Sequence, residues 1–346
     1  MKLDARIYVA GHRGLVGSAI VRRLQSAGHS NIITRTHAEL DLMDQVKVRK
    51  FFDEEKPQYV ILAAAKVGGI LANDTYPADF IYQNLAIQNN VIEESRRAGV
   101  DRLLFLGSSC IYPRECPQPM KEEYLLTGPL EPTNRPYALA KIAGIEMCWS
   151  FNRQHGTRFL AVMPTNLYGS GDNYDLNTSH VIPALLRKFH EAKVTNSKEV
   201  VVWGTGKPMR EFLFSDDMAD ACTFLLSLPE QAFGALLGSD ESKSGKFDPP
   251  LINIGTGKDI TIKDLALLVG DIVGFEGKVV FDTSKPDGTP RKLLDVTKLA
   301  KCGWSASTGL REGLTMAYRD FLELELRTSS TPRMNGATAP VTGMKV

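Results

Sequence analysis

Tyr137 and Lys141 stand four residues apart in the run PYALAK. In a helix, residues i and i+4 share a face, so a phenol and an ammonium can point at one place. An ammonium beside a phenol favours the phenolate and draws the tyrosine pKa toward neutrality, which suits proton exchange with a carbonyl or alcohol oxygen. Ser108 follows the strand-like run Leu103–Leu106 and Gly107. A hydroxyl at a strand's C-terminal end, where open α/β sheets bind ligands, can hydrogen-bond the same oxygen. The YxxxK spacing alone arises often by chance and then marks only a helix-surface pair. It gains meaning from a second pattern near the N-terminus.

There, strand Arg6–Ala10 runs into Gly11-His12-Arg13-Gly14-Leu15-Val16-Gly17, with a helix expected from Ser18. In this GxxGxxG spacing the first glycine permits the tight strand-to-helix turn. The second lets backbone approach a pyrophosphate, and the third lets helix and strand pack closely. The phosphates then meet the free N–H groups and dipole of a helix N-terminus. The pattern predicts a dinucleotide site, and Lys141 can hold the ribose of its nicotinamide half. NAD binders end the next strand in an acid for the ribose 2′-hydroxyl. Here that strand ends in Thr34-Arg35-Thr36-His37, and Arg13 lies in the glycine loop. Two cations suit a 2′-phosphate, so NADP is expected, the alternative being that Arg35 is merely solvated.

The elements that must carry these groups alternate along the chain. Strand-like runs Arg6–Ala10, Asn31–Thr34, Tyr59–Ala63, Leu103–Leu106 and Phe159–Val162 are separated by amphipathic segments Ser18–Gln25, Asp44–Glu54, Phe80–Arg97 and Tyr137–Arg153. Nearly all-apolar strands alternating with helices read as a parallel sheet covered on both faces. The fold class is therefore α/β, a doubly wound parallel (Rossmann) sheet with a smaller C-terminal α/β substrate domain. The cofactor domain is expected over 1–165 with about 211–256, the substrate domain over about 166–210 with 257–326, and a flexible tail over 327–346, which is polar and carries no acid.

Length and composition agree. The chain of 346 residues has room for about two domains of ~150 residues. With 41 basic and 40 acidic residues there is no basic excess to suggest nucleic acid; an acidic substrate must be met by local Arg and Lys. Cys110, Cys116, Cys148, Cys222 and Cys302 form no CxxC pair, which argues against a disulfide framework or a zinc site and for a reducing compartment. No signal peptide and no apolar run near the ~18 residues of a membrane span is present. A cytoplasmic protein is expected, with no metal and no membrane partner.

These features resemble the extended short-chain dehydrogenase/reductase superfamily. The stretches GHRGLVGSAI, AAAKVGGI, NDTYPADFI, LLFLGSSCIYP, EPTNRPYALAKIAGI, MPTNLYG, SHVIPALLRKFHEA, VVVWGTGKPMREFL and KPDGTPRKLLDV are similar, more narrowly, to the GDP-L-fucose synthase family. The likeness runs from residue 5 to about 322. It implies an NADPH-dependent 3,5-epimerase/4-reductase acting on GDP-4-keto-6-deoxy-D-mannose, and a homodimer, for which Phe80–Arg97 and Tyr137–Arg153 are the candidate helices.

The resemblance implies that Ser108, Tyr137 and Lys141 serve the C4 carbonyl and that Cys110 and His180 transfer protons at C3 and C5. Taken without it, Cys110 reads as a buried structural thiol and His180 as a helix-start residue. It implies cofactor contacts from residues 11–17, Arg35, His37, Leu106, Gly107, Ser108, Tyr137, Lys141, Pro164, Thr165, Asn166, Leu167 and His180. For the GDP-sugar it implies Lys188, Trp203, Arg210 and Asp287, with Arg291 as an additional candidate; Trp203 alone could equally be core. His37 stands where some members carry Arg, Phe214-Ser215 replaces a His-Val pair, and the loop GSGDNYDLNTS departs from the family's usual type. Competing readings are a 4-epimerase or 4,6-dehydratase of the same fold and a non-catalytic NADP-binding protein.

Overall fold

Ile7, Tyr8, Val9 and Ala10 are all buried, yet alternate strand residues point to opposite faces. Both faces of this strand must therefore be covered. The computed structural model describes residues 1–176, 178–239, 245, 247–285 and 287–330, with backbone only for 70, 71 and 327–330. From the N-terminus it runs β1 (Ile7–Ala10), α1 (Leu15–Ser26), β2 (Ile32–Ile33), α2 (Gln45–Glu55), β3 (Tyr59–Leu62), α3 (Ile70–Thr75), α4 (Pro77–Arg97), β4 (Arg102–Leu106), α5 (Arg135–His155) and β5 (Phe159–Pro164). It continues through β6 (Asn166–Tyr168), α6 (Val181–Val194), β7 (Glu199–Trp203), β8 (Met209–Phe214), α7 (Ser215–Ser227), α8 (Glu230–Gly234) and β9 (Leu251–Ile254). The last elements are β10 (Asp259–Thr261), α9 (Ile262–Val273), β11 (Lys278–Asp282), β12 (Arg291–Lys292), α10 (Thr297–Lys301) and α11 (Leu310–Ser330).

Six strands form one parallel sheet in the order β2-β1-β3-β4-β5-β9. Tyr8, Val60, Leu103, Phe105, Phe159 and Ala161 face one side, in a core with residues of α2, α4 and α5. Ile7, Val9, Ile61, Leu104, Leu160 and Val162 face the other, packed with Ala19, Ile20 and Leu24 of α1 and Met218, Cys222 and Leu225 of α7. The strand order reverses beside β1, and in open α/β sheets such a switch point, at the strands' C-terminal ends, is where ligands bind.

A second layer is built on β8, which pairs with β6 and β12 in parallel and with β10 antiparallel; β7 and β11 form a separate parallel pair. Residues from α6, α9, α11 and these strands make a third core cluster. Two segments connect the layers. Residues 211–214, expected with the cofactor domain, lie within β8 of the smaller sheet, while Leu213 packs in the core of the six-stranded sheet. Leu299 and Trp304, expected with the substrate domain, return to the core of the six-stranded sheet, because these apolar side chains find their cover beside α7. Of the expected tail, residues 327–330 continue α11 and 331–346 lie outside the described residues. No described helix is long and apolar enough to cross a membrane.

Candidate active site

The helix expected from Ser18 begins earlier, at Leu15, with Gly14 at its N-cap. The reason is the third glycine. A Cβ on Gly17 would sit 2.1 Å from the Gly11 carbonyl oxygen, so the first turn of α1 lies directly on the loop. Gly11 has φ +85° and a Cβ there would meet Ala64 N at 2.7 Å, which ties the ends of β1 and β3. A Cβ on Gly14 would meet nothing closer than 3.5 Å. That open backbone, with the unpaired N–H groups of the first helical turn beside it, is a cradle for an anion. Leu15 and Val16 are half-buried in this turn, and His12 Nδ1 is buried without a partner.

The two expected cations differ. Arg35 is held by an ion pair with Glu55, donates to the Thr34 carbonyl at 2.8 Å and lies over Phe51. Arg13 is exposed and makes no hydrogen bond or ion pair among the described residues. Both nonetheless face Glu39, whose carboxyl is held low first by hydrogen bonds from Thr36 and then by the two arginines. His37 is exposed, 3.8 Å from Asp41. The loops after β1 and β2 thus converge, with Arg13 making no hydrogen bond or ion pair among the described residues.

At the end of β4, Ser108 opens a short 3₁₀ turn, Ser109–Ile111, and its hydroxyl accepts from Cys110 N at 3.5 Å. The same side chain lies near enough to the Tyr137 phenol and the Cys110 thiol to oppose the rise in the pKa of each. Phenol, hydroxyl and thiol therefore open on one spot. Tyr112 anchors the turn by donating to Asn253 Oδ1 at 2.6 Å. Phe80 packs edge-on against Tyr137 at 6.1 Å. Gly107 N–H donates to the Val162 carbonyl, and Leu106 is buried.

The expected lowering of the tyrosine pKa does not occur. Burial pushes the Tyr137 phenol up, Cys110 adds to this, and Ser108 opposes it. Lys141 donates to the Leu106 carbonyl at 2.8 Å and is itself pushed down to about 8 by burial. Desolvation penalises both charged forms; it outweighs the attraction that local spacing suggested. Tyr137 is thus held as a neutral, protonated phenol. Burial likewise raises the Cys110 thiol, opposed by Ser108, Lys292 and Lys141 in that order.

His180 caps the start of α6 without using its side chain, which has no hydrogen bond among the described residues. The ring keeps solvent access, and its crowded surroundings lower its pKa by desolvation. No described hydrogen bond joins it to Ser108, Cys110 or Tyr137. The preceding residues Thr178 and Ser179 do reach the loop before α3, their carbonyls 3.9 Å from where a Gly69 Cβ would lie. Pro164 ends β5, and Thr165 and Asn166 both donate to the Glu211 carbonyl, at 3.1 and 2.8 Å. Leu167 packs on the second face of the large sheet.

Trp203 is not core: it is 65% exposed, with Lys188 Nζ at 5.3 Å and Lys285 Nζ at 5.5 Å from its ring centroid. An open indole between two ammoniums is a platform for a flat, electron-rich base beside phosphates. Arg210 is half-buried and donates to the Met209 carbonyl. The carboxylate of Asp287 braces Thr205, accepting from its N–H and hydroxyl at 2.8 and 2.6 Å, and so fixes the turn after Trp203. Arg291 is engaged by Asp259 at 2.5 Å.

Three contributors lay outside the sequence reading. Glu211 is fully buried, its carboxylate accepting from the N–H groups of Thr256, Gly257 and Leu294 at 2.6, 2.7 and 2.9 Å. It pins β8, and with it Arg210 and Asn166, to β9 and β12. Lys292 pairs in register with Arg210 and lines a small cavity together with Cys110. Lys285 flanks Trp203. An acid inside the apolar strand REFLF was the one signal that could have exposed Glu211.

The profile of the NAD dependent epimerase/dehydratase family matches residues 7–235, which sets the class of protein. GDP-L-fucose synthase 1 of Arabidopsis thaliana is 57% identical over 320 residues, covering 92% of this chain and 94% of that one. The chain belongs to the GDP-L-fucose synthase branch of the epimerase/dehydratase family. Among solved structures, a GDP-6-OMe-4-keto-L-xylo-heptose reductase from C. jejuni matches with TM-score 0.86 and 42% identity over 94% of this chain and 99% of that one. A GDP-L-fucose synthetase from Naegleria fowleri bound to NADP matches with TM-score 0.83 and 27% identity, over 94% and 95%.

Proposed function

We propose that this protein is a GDP-L-fucose synthase: it inverts C3 and C5 of GDP-4-keto-6-deoxy-D-mannose and reduces C4, with NADPH as the reductant. The observation that carries the reading is the Ser108 hydroxyl, which serves Tyr137 and Cys110 together. Protons beside a ketone are removable because an enolate forms, and Ser108 and Tyr137 are donors for its oxygen. Cys110 and His180 are the proton-transfer groups of the two inversions. The bound nicotinamide would supply hydride to C4. Tyr137, kept protonated by burial, gives its proton to the C4 oxygen. Lys141 and the Gly14 cradle hold the ribose and pyrophosphate. Arg13, free of partners, is the main donor to a 2′-phosphate, with Arg35 behind it. Trp203, Lys188 and Arg210 take the guanine and diphosphate.

Incubation with the ketosugar and either NADPH or NADH, followed by product identification, tests this. GDP-L-fucose with stoichiometric NADPH oxidation is expected, and a clear preference over NADH. A product epimerised at C4 without net NADPH consumption would identify a 4-epimerase instead. A product reduced but not inverted would favour a 4-keto reductase without epimerase activity; the C. jejuni relative is named a GDP-6-OMe-4-keto-L-xylo-heptose reductase.

A further inference from the structure

Lys292 has no role in the scheme above. It sits in β12, opposite Arg210 of β8, in a part of the fold that meets the end of β4. Its ammonium makes no hydrogen bond or ion pair with any described side chain, and burial lowers its pKa. The carboxylate nearest by charge, Glu131, is committed to Arg114 at 3.3 Å. A cavity of about 10 Å³, room for about one water molecule, is lined by Cys110, Lys292, Glu131, Gln118 and Thr289 among others. So little space leaves the charge of Lys292 weakly screened where it meets the thiol.

We propose that Lys292 is the counter-ion of a Cys110 thiolate, a positioning residue that lets this enclosed cysteine act as a base. This rests on the reading of Cys110 as a proton-transfer group. Cys110 is 7% exposed, and burial alone would keep its proton on. Four groups bear on it: Ser108 by hydrogen bonding, Tyr137 from α5, and Lys141 and Lys292 by charge, Lys292 the stronger of the two. Lys141 is already bound to the Leu106 carbonyl. Lys292 in turn faces Cys110 and Cys116, Arg210 and Glu131. Cys110 and Glu131 favour its ammonium and Arg210 opposes it, so thiolate and ammonium stabilise one another. The adjacent Arg210 in the same ladder would carry the diphosphate, placing the base's counter-ion and the group that holds the substrate's charged end on one strand pair.

The test reads the thiolate directly, as the ultraviolet thiolate absorbance of each cofactor-free protein minus that of its Cys110→Ser counterpart, across rising pH. Removing a neighbouring opposite charge moves a pKa by about 1–3 units. Lys292→Met should therefore hold at least about tenfold less thiolate at a given pH, while Lys292→Arg stays close to wild type. An unchanged titration in Lys292→Met, or an equal shift in Lys292→Arg, overturns the proposal. Should Lys292→Met fail to fold, the reciprocal measurement decides: in Cys110→Ser the Lys292 amine loses its partner and should acylate at lower pH than in wild type. An identical acylation profile overturns the proposal. Solvent deuterium uptake by the ketosugar separates the two levels. Uptake persisting in Cys110→Ser sinks the role given to Cys110 as base, whereas uptake lost there with an unshifted Lys292→Met titration sinks only the counter-ion.

Discussion

Replacing Lys141 with methionine should abolish reduction and yet make the cofactor-free protein more stable. Lys141 is 3% exposed and its pKa is pushed down by burial from 10.5 to about 8. Holding the ammonium in place therefore costs the fold about 2.5 pH units of proton affinity, or about 3 kcal/mol at 1.36 kcal/mol each. Methionine removes that charge at similar length. It also removes the hydrogen bond to the Leu106 carbonyl, worth about 1 kcal/mol, so a net gain of about 1–2 kcal/mol near neutrality is expected. Between about pH 8 and 10.5 the unfolded chain keeps a proton that the folded chain has lost, so wild-type stability rises with pH there. The cost is fully present below about pH 8 and gone above 10.5, where neutral Lys141 still donates to Leu106 and wild type should be the more stable. Urea unfolding of both proteins without cofactor, repeated across that range, reads the difference curve. A difference that does not change with pH, or a wild type more stable at neutrality, would refute the argument that desolvation dominates at this position.

Other substitutions separate binding from folding. Gly17→Ala should cost about 1–3 kcal/mol of stability, because its methyl meets backbone at 2.1 Å that cannot yield. Gly14→Ala should leave the melting temperature unchanged and weaken NADPH binding at least about tenfold, since its methyl enters open space where a pyrophosphate approaches; undiminished affinity by titration would contradict the cradle. Cys110→Ser should lower solvent-deuterium incorporation at C3 and C5 by at least about 100-fold while hydride still reaches C4, giving an unepimerised deoxysugar. Equal loss of both activities would show that the thiol is not confined to inversion. Trp203→Ala removes a ring that is 65% exposed, so stability should hold while KM for the GDP-sugar rises about 5- to 150-fold, the equivalent of about 1–3 kcal/mol of lost stacking; an unchanged KM would remove Trp203 from the site.

What the sequence displayed was whatever local spacing controls. The strand expected over Arg6–Ala10, observed as Ile7–Ala10, the glycine turn after it and the helix carrying Tyr137 and Lys141 each depend on neighbours within a few residues. The identity of the second sheet was hidden, because β8 is defined by partners at 166–168, 259–261 and 291–292 and no local pattern in MREFLF announces them. Lys292 was hidden for the same reason: it stands in a two-residue strand after a polar loop, and only its register with Arg210 gives it meaning. The direction of the Tyr137 pKa is not legible in the sequence, because i and i+4 spacing reveals the attracting neighbour and conceals the burial that opposes it.

The charges left unpaired suggest why this arrangement is tolerated. Lys141, Lys292 and Arg210 are all shifted down by burial. Glu211, the enclosed acid among them, gives its carboxylate to three backbone N–H groups rather than to any of these cations. Asp287, near Arg210, is committed to Thr205. A fold selected only for stability would pair or replace such cations, since a buried charge without a partner is destabilising. Under the function proposed above, these cations would meet negative charge that arrives with the ligand: the diphosphate at Arg210, and the oxyanion and thiolate at Lys141 and Lys292. The strain is thus relieved as the substrate binds and most fully as an enolate develops, which is the direction in which a site must discriminate if it is to accelerate proton removal beside a ketone.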